Sequence, residues 1–148
     1  MKKLRQLLHS ERGDITTSFV LTTFIVILFA MLGMEYGAAL EKYDYALDLI
    51  QRAANTAVEY NIRDEYRSDR ILLLNTAAAE QTLYDYIDSD ITQHGRYTIH
   101  VDSVTCLETP PSLTVSGTGS FPTMLSGIGF DDVTFHFTVT STNYDLDG

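Results

Sequence analysis

The chain has 148 residues, and its 20 acidic residues outnumber its 10 basic residues, which gives a formal net charge of −10. This length suits one domain, and an apolar content of 45% supports a modest hydrophobic core. An acidic chain argues against binding to nucleic acid, because the phosphate backbone is bound by clustered Lys and Arg. The single cysteine, Cys106, excludes an internal disulfide and a zinc site of the CxxC type.

The charge is distributed unevenly along the chain. Residues 1–13 contain four basic residues and one acidic residue, a net charge of +3, whereas residues 14–148 have a net charge of −13. We interpret residues 1–13 as a basic leader, which the positive-inside tendency keeps on the cytoplasmic side of a membrane. The acidic remainder is then expected outside the cytoplasm.

Residues 14–36 are predicted to form a transmembrane helix. The segment 15–34 contains no charged residue, and eleven of its twenty positions are Leu, Ile, Val or Phe. Twenty helical residues extend about 30 Å, the thickness of a hydrocarbon core. Two alternatives stay open: a buried core helix of a soluble protein, and a cleaved signal peptide with small residues at 37–39. The apolar run is longer than an ordinary signal-peptide core, and Glu35 separates it from those small residues.

An extracytoplasmic helical region is predicted over residues 37–93, because no Pro or Gly lies between 38 and 93. Apolar residues there recur at alternating spacings of four and three, as on one face of a helix. We consider two interpretations of this helix packing stripe, which either covers the protein's own sheet or contacts neighbouring subunits through its upper part. The stripe comprises Tyr36, Leu40, Tyr43, Leu47, Ile50, Ala54 and Ala57.

A second helix is expected after the polar stretch 61–70, which bends or interrupts the first. Ser68 or Asp69 is a candidate N-cap, and the helix is predicted to run to about Ile91. Its expected apolar face comprises Leu73, Ala77, Tyr84, Ile87 and Ile91.

Residues 94–143 are predicted to form a small antiparallel sheet. Apolar and polar residues alternate over 97–102, again from Leu113, and most clearly over 133–140. We expect residues 117–129, which contain Gly, Ser and Pro, to form a loop, and residues 144–148 to form an acidic tail. The predicted fold class is therefore α+β: a long N-terminal helix, a second helix, and three antiparallel strands whose apolar face the helices cover.

No arrangement of residues favours an enzyme. No Ser lies in a nucleophile-elbow pattern, and no phosphate-binding loop or calcium-binding loop is present. His100, Asp102 and His136 approach one another if their strands pair, as part of a metal site would, but polar residues on a solvent-facing sheet explain them equally well. We expect no metal and no cofactor. Cys106 is interpreted as a small half-buried residue, with an intermolecular disulfide as the alternative.

Three local motifs carry a resemblance to a known family. Arg12-Gly13 precedes the apolar helix, Leu32-Gly33-Met34-Glu35-Tyr36-Gly37 ends it, and the helix beyond contains the small-residue segment 49–57. Together with the order of leader, apolar helix, second helix and small sheet, these motifs resemble the TadE-type pseudopilins of tight-adherence (Tad) pili. The resemblance covers roughly residues 12–57, and beyond these only the architecture is similar.

This resemblance implies a minor pilin or pseudopilin. A prepilin peptidase would cleave after Gly13, between Arg12-Gly13 and Asp14, and the subunit would then assemble into a type IV-like filament. Glu35, Tyr36 and Gly37 would mark the membrane boundary and take part in assembly. The implied partners are other pilin-like subunits, the prepilin peptidase, an inner-membrane assembly platform and membrane lipid. Ser18 stands where the family usually has Glu, so an uncleaved signal-anchor protein with an acidic partner-binding domain is the alternative.

Overall fold

The computed structural model describes residues 11–63, 72–94, 97–124, 126, 129 and 131–143, and only the backbone at 11–14, 92 and 94. Two helices, α1 (Glu11–Tyr60) and α2 (Thr76–His94), precede strands β1 (Thr98–Leu107), β2 (Ser112–Phe121) and β3 (Val133–Thr142). The strands form one antiparallel sheet in the order β1-β2-β3. The predicted α+β class is confirmed. Contacts divide the chain into two units, Met1–Ala38 and Ala39–Gly148.

The unit Ala39–Gly148 has one hydrophobic core, to which both helices and all three strands contribute. Four alanines of α1 are fully buried, so the helix lies close to its neighbours. The ring of Tyr43 meets the ring of Phe135 edge-on, with 5.1 Å between centroids, which joins α1 to β3. The apolar face of the sheet is therefore covered by helices, as the sequence predicts.

The second helix begins later than the sequence predicts, at Thr76. The side chain of Asn75 caps it, because the Ala78 N–H donates to Asn75 Oδ1 at 3.3 Å. Ser68 and Asp69, the predicted caps, lie outside the described residues, and they do not adjoin the helix start. Before α2, Ile62 and Leu74 form an isolated antiparallel bridge.

The predicted apolar face of this helix is also wrong in part. Leu73 precedes the helix, and Ala77 and Tyr84 are exposed. The buried face is formed by residues at four-residue spacing, and Ile91 packs at its edge. These buried residues are Ala79, Leu83 and Ile87.

Strand β1 contains a bulge that keeps its apolar residues on one side. Val101 pairs with Gly117, but Ser103 pairs with Ser116, so Asp102 is an extra residue in the ladder. Alternation before the bulge points Ile99 and Val101 towards the core. The extra residue resets the alternation so that Val104 and Cys106 also pack against the core.

Strand β2 extends to Phe121 through residues that the sequence predicts to be a loop, so the predicted loop over 117–129 is wrong in its first part. Gly117 pairs with Phe137 and Gly119 with Phe135. A Cβ on Gly119 would meet the ring of Phe135, and a Cβ on Gly117 would lie 2.7 Å from Phe137 Cζ. Glycine is required here because the two phenyl rings occupy the space of its side chain. In β3, the predicted alternation is confirmed, with Phe135 and Phe137 buried.

Candidate functional site

The most conspicuous surface of the molecule is the apolar segment of α1 between Ile15 and Met34. Every residue of this segment is exposed, and thirteen of them are large apolar side chains. Ile15 and Phe19 are 75% and 71% exposed. Among the described residues, α1 is the one helix long and apolar enough to cross a membrane, and none of its most apolar window is buried. A buried core helix, the first alternative above, does not agree with this exposure.

The far end of the segment combines a charge, an aromatic ring and a glycine. Glu35 is the first charged residue after the apolar run, and its side chain is half-buried. Tyr36 is 68% exposed, and its ring has the amphipathic character that suits a membrane–water interface. Around Gly37 a Cβ would meet no atom within 4 Å, so the helix surface is open there. This arrangement is typical of the place where a helix leaves a bilayer.

The near end of the segment contains the proposed cleavage residues. Arg12, Gly13 and Asp14 lie in the first turn of α1, and their side chains are outside the described part of the structure. The leader residues 1–10 lie wholly outside it. Ser18, about two turns into α1, is exposed like its apolar neighbours.

The helix packing stripe separates into two parts. Tyr36 and Leu40 are exposed, whereas Tyr43 and Leu47 are partly buried against the core. The lower part of the stripe is fully buried and lies within the protein's own core, which from Tyr43 onwards agrees with the interpretation as a cover for the sheet. These fully buried residues are Ile50, Ala54 and Ala57.

The solvent face of the sheet brings together the three residues that the sequence singles out as part of a metal site. His100 Nε2 lies 3.6 Å from Asp102 Oδ1, and their side chains are 81% and 54% exposed. The Thr118 hydroxyl lies between the strands, 3.4 Å from Asp102 Oδ2 and 3.3 Å from His136 Nδ1. Across the residues that the structure describes, no three His, Cys, Asp or Glu are placed to hold a metal ion. His100, Asp102, Thr118 and His136 therefore form an exposed, hydrogen-bonded surface of the sheet.

Two ionisable groups on β1 and beside it have raised pKa values. Burial, and then the carboxylate of Glu80, raise the pKa of the Cys106 thiol. Cys106 is partly buried and packs against the core, which agrees with its interpretation as a half-buried residue. Burial also raises the pKa of Tyr97, and its hydroxyl donates a hydrogen bond to Asp90 that raises the pKa further. Both groups are therefore neutral at pH 7.

One interaction was not predicted from the sequence. The Lys42 ammonium donates to the carbonyl oxygen of Pro122 at 2.6 Å and lies 5.7 Å from the centroid of the Phe121 ring. It joins α1 to the residues that follow β2. The contact spans 80 positions of sequence, so no local pattern indicates it.

Comparison of the chain with protein-family models, with curated proteins and with solved structures found no match.

Proposed function

We propose that the protein is a pilin-like assembly subunit, a minor pilin or pseudopilin of a Tad-like or related type IV filament system. In this proposal α1 inserts in the inner membrane with residues 1–13 in the cytoplasm and the acidic remainder outside it. The subunit then assembles into a filament, or primes one, together with other pilin-like subunits and an assembly platform.

The exposed apolar segment 15–34 is the observation that carries the proposal. Burying a large apolar side chain contributes about 1.5 to 3 kcal/mol relative to leaving it in water. For the thirteen such side chains of this segment, exposure to water therefore costs on the order of 20 kcal/mol or more in total. A bilayer removes this surface from water, and so does a bundle of equivalent helices in a filament. A pilin-like subunit uses both environments in turn, so one surface serves membrane insertion and assembly.

The charge distribution supports the same proposal. The +3 leader resists transfer across the membrane and keeps the subunit anchored. Cleavage after Gly13 removes these charges and leaves an apolar helix that is able to move from lipid into a filament. Glu35 stays near the headgroups in the membrane and pairs with a base or an amine in an assembly.

The test is the mass of the protein purified from its native host. We expect a mature chain that begins at Asp14. In the Gly13→Leu variant we expect the leader to be retained and the chain to stay in the membrane, because the residue before the cleaved bond has changed. Gly33→Leu is the matched control, since a side chain at position 33 has open space around it and processing should continue.

Two other masses would contradict the proposal. A chain that begins at Leu40 would indicate ordinary signal-peptide cleavage after the small residues 37–39. Assembled protein that retains residues 1–13 would support the second candidate function, an uncleaved signal-anchor protein whose acidic domain binds a partner in an envelope or conjugation complex. That candidate is favoured by Ser18 and Asp14, which depart from the pilin pattern.

A further inference from the structure

Strand β3 has one paired edge and one edge without a pairing strand among the described residues. Towards β2 it forms an unbroken ladder of ten pairs, from Phe121 with Val133 to Ser112 with Thr142. It is the last strand of the sheet, so its other edge presents main-chain N–H and C=O groups that a further strand can pair with.

The features that commonly protect an edge strand are missing from β3. Its ten residues contain no charged residue, no Pro and no bulge, and eight of them are Val, Thr or Phe, which favour strands. The strand at the opposite edge is different, because β1 contains both the bulge and the carboxylate of Asp102. The two edges of the sheet are therefore unequal, and β3 is the one suited to pairing.

The charge distribution favours a second copy of the chain as the pairing strand. The chain has a net charge of −10, so two copies repel each other over most of their surfaces. Neither β2 nor β3 contains a charged residue, whereas α1 and α2 contain many acidic residues, among them Asp44, Asp48, Asp85 and Asp88. Two copies that approach through the centre of β3 bring together uncharged strands, and Asp131 and Asp132, which precede β3, lie at the ends of the interface.

We propose that β3 pairs in antiparallel orientation with β3 of a second copy, which gives a continuous six-stranded sheet. A two-fold axis perpendicular to the sheet makes the two central strands antiparallel and keeps both helix-covered faces on the same side. Such an interface is self-complementary and closed, because each copy uses its free β3 edge once. The bulged β1 strands then form the two outer edges.

The pairing is weak in dilute solution and grows with local concentration. Ten paired residues bury much less than the roughly 800 Å² per partner of a standard stable interface. Copies that share a membrane, as the proposed function requires, are held at high effective concentration. The pairing itself does not depend on that function.

Cysteine cross-linking of the full-length chain tests the pairing. In a Cys106→Ser background, a single cysteine replaces Thr134, His136, Thr138 or Thr140, which are exposed on β3. Controls replace Ser116 on β2 or the exposed Thr105 on β1. With a short bis-maleimide we expect dimers from the β3 positions near the strand centre, and about tenfold less from Thr105→Cys and Ser116→Cys.

A charge at the edge gives an independent measurement. Thr138→Lys is combined with the cysteine at position 136, which lies nearer the strand centre, and Thr105→Lys, on the opposite edge strand, is the matched control. Lysine lowers the net negative charge, so general repulsion decreases, yet we expect Thr138→Lys to abolish the dimer because the two lysines oppose each other across the new ladder. Circular dichroism establishes that both variants are folded.

The proposal is overturned if no β3 position gives more dimer than Thr105→Cys and Ser116→Cys. Equal cross-linking from Ser116→Cys would indicate face-to-face contact and would also overturn it, as would a dimer that survives Thr138→Lys. The reaction is carried out in whichever cell fraction contains the chain. Fractionation then reports on membrane insertion and cross-linking on strand pairing, so failure of one is distinguishable from failure of the other.

Discussion

At the scale of single residues, the two glycines of β2 determine how the sheet meets its core. Gly117 and Gly119 alternate with outward-facing polar residues, and both are opposite phenylalanines of β3. Their missing side chains leave room for the rings of Phe137 and Phe135, which would otherwise have to move. The packing of this core therefore requires glycine at positions 117 and 119 as well as the apolar residues around them.

We expect Gly117→Ala to lower the free energy of unfolding by about 1 to 3 kcal/mol, the usual range for overpacking a core. The new Cβ would meet the main-chain carbonyl oxygen of His100 as well as Phe137 Cζ, and a backbone atom cannot move aside as a flexible side chain does. Urea unfolding of the full chain in mild detergent, followed by tyrosine near-UV circular dichroism, gives the difference.

Ser116→Ala is the control for this measurement, because Ser116 is adjacent and faces the polar side of the sheet. It is expected to change the free energy of unfolding by less than about 1 kcal/mol, the worth of its side-chain hydrogen bond with Ser103. An equal decrease in the free energy of unfolding for Gly117→Ala and Ser116→Ala would show that there is room for a Cβ at position 117.

These glycines also show why the sequence predicted a loop where the structure has a strand. Gly and Ser are typical of turns, and a local pattern contains no information about a ring supplied by another strand sixteen to twenty residues away. The alternation in β3 was predictable because the apolar or polar character of each residue indicates whether it is buried or exposed. The match between Gly119 and Phe135 is a property of the pairing register, which the sequence does not reveal locally.

At the scale of elements, α1 serves two different environments. Between Ile15 and Met34 it is uncharged, mostly apolar and exposed. From Ala46 to Val58 it is amphipathic, with its apolar residues buried in the core and residues such as Asp48 and Arg52 paired on the solvent side at 3.0 Å. The absence of charge predicted the first part, and the alternating spacing of four and three predicted the second.

Two leucines of α1, one buried in the core and one exposed, allow the effect of burial to be measured by the same substitution. Leu49→Ala is expected to lower the free energy of unfolding by about 2 to 5 kcal/mol, because the Leu49 side chain is fully buried and its removal leaves a cavity. Leu40→Ala is the control, since Leu40 is 45% exposed, and we expect a loss of less than about 1 kcal/mol. The same urea titration measures both, and similar losses would contradict the burial of Leu49.

The second helix was less predictable than the first. Its start depends on Asn75, whose side chain caps the first turn, and Ser and Asp residues upstream offered equally good local signals. The buried face also differs from the predicted one, because Ala79 and Leu83 are buried and Ala77 is not. The existence of an α2 helix was predictable, but its boundary required the tertiary contacts that fix the chain before it.

At the scale of the whole molecule, charge and apolar surface are separated along the chain. Apart from Glu11 and Asp14 in the first turn of α1, the acidic residues of the described helices lie beyond residue 34, on α2 and on the part of α1 that follows the apolar segment. The separation was evident from the sequence. The contrast inside the sheet became evident only with the observed strand bounds and pairing. Strands β2 and β3 carry no charge, whereas β1 carries one aspartate at its bulge.

Charges placed in the apolar segment test whether it resides in a bilayer. In the double variant Phe24→Asp/Ile27→Asp, each aspartate near the centre of a membrane helix costs about 2.5 to 3.5 kcal/mol of insertion free energy. We therefore expect alkaline carbonate to release this variant from membranes that retain the unchanged chain.

The control for this experiment carries the same two charges elsewhere. Tyr60→Asp/Tyr84→Asp changes exposed positions of the unit Ala39–Gly148 and is expected to stay in the membrane pellet. Retention of the Phe24→Asp/Ile27→Asp chain, or equal release of both double variants, would show that segment 15–34 is not the anchor.

The bulge at Asp102 has a consequence for how the chain tolerates insertion and deletion. The two halves of β1 are in opposite phase, and the single extra residue is what lets both present apolar side chains to the same core. Loss of that residue would leave Ile99 and Val101 in place and turn Val104 and Cys106 outwards. A related chain that lacked the bulge would therefore align with a one-residue gap at this position, and without that gap the buried and exposed residues of half the strand would be exchanged.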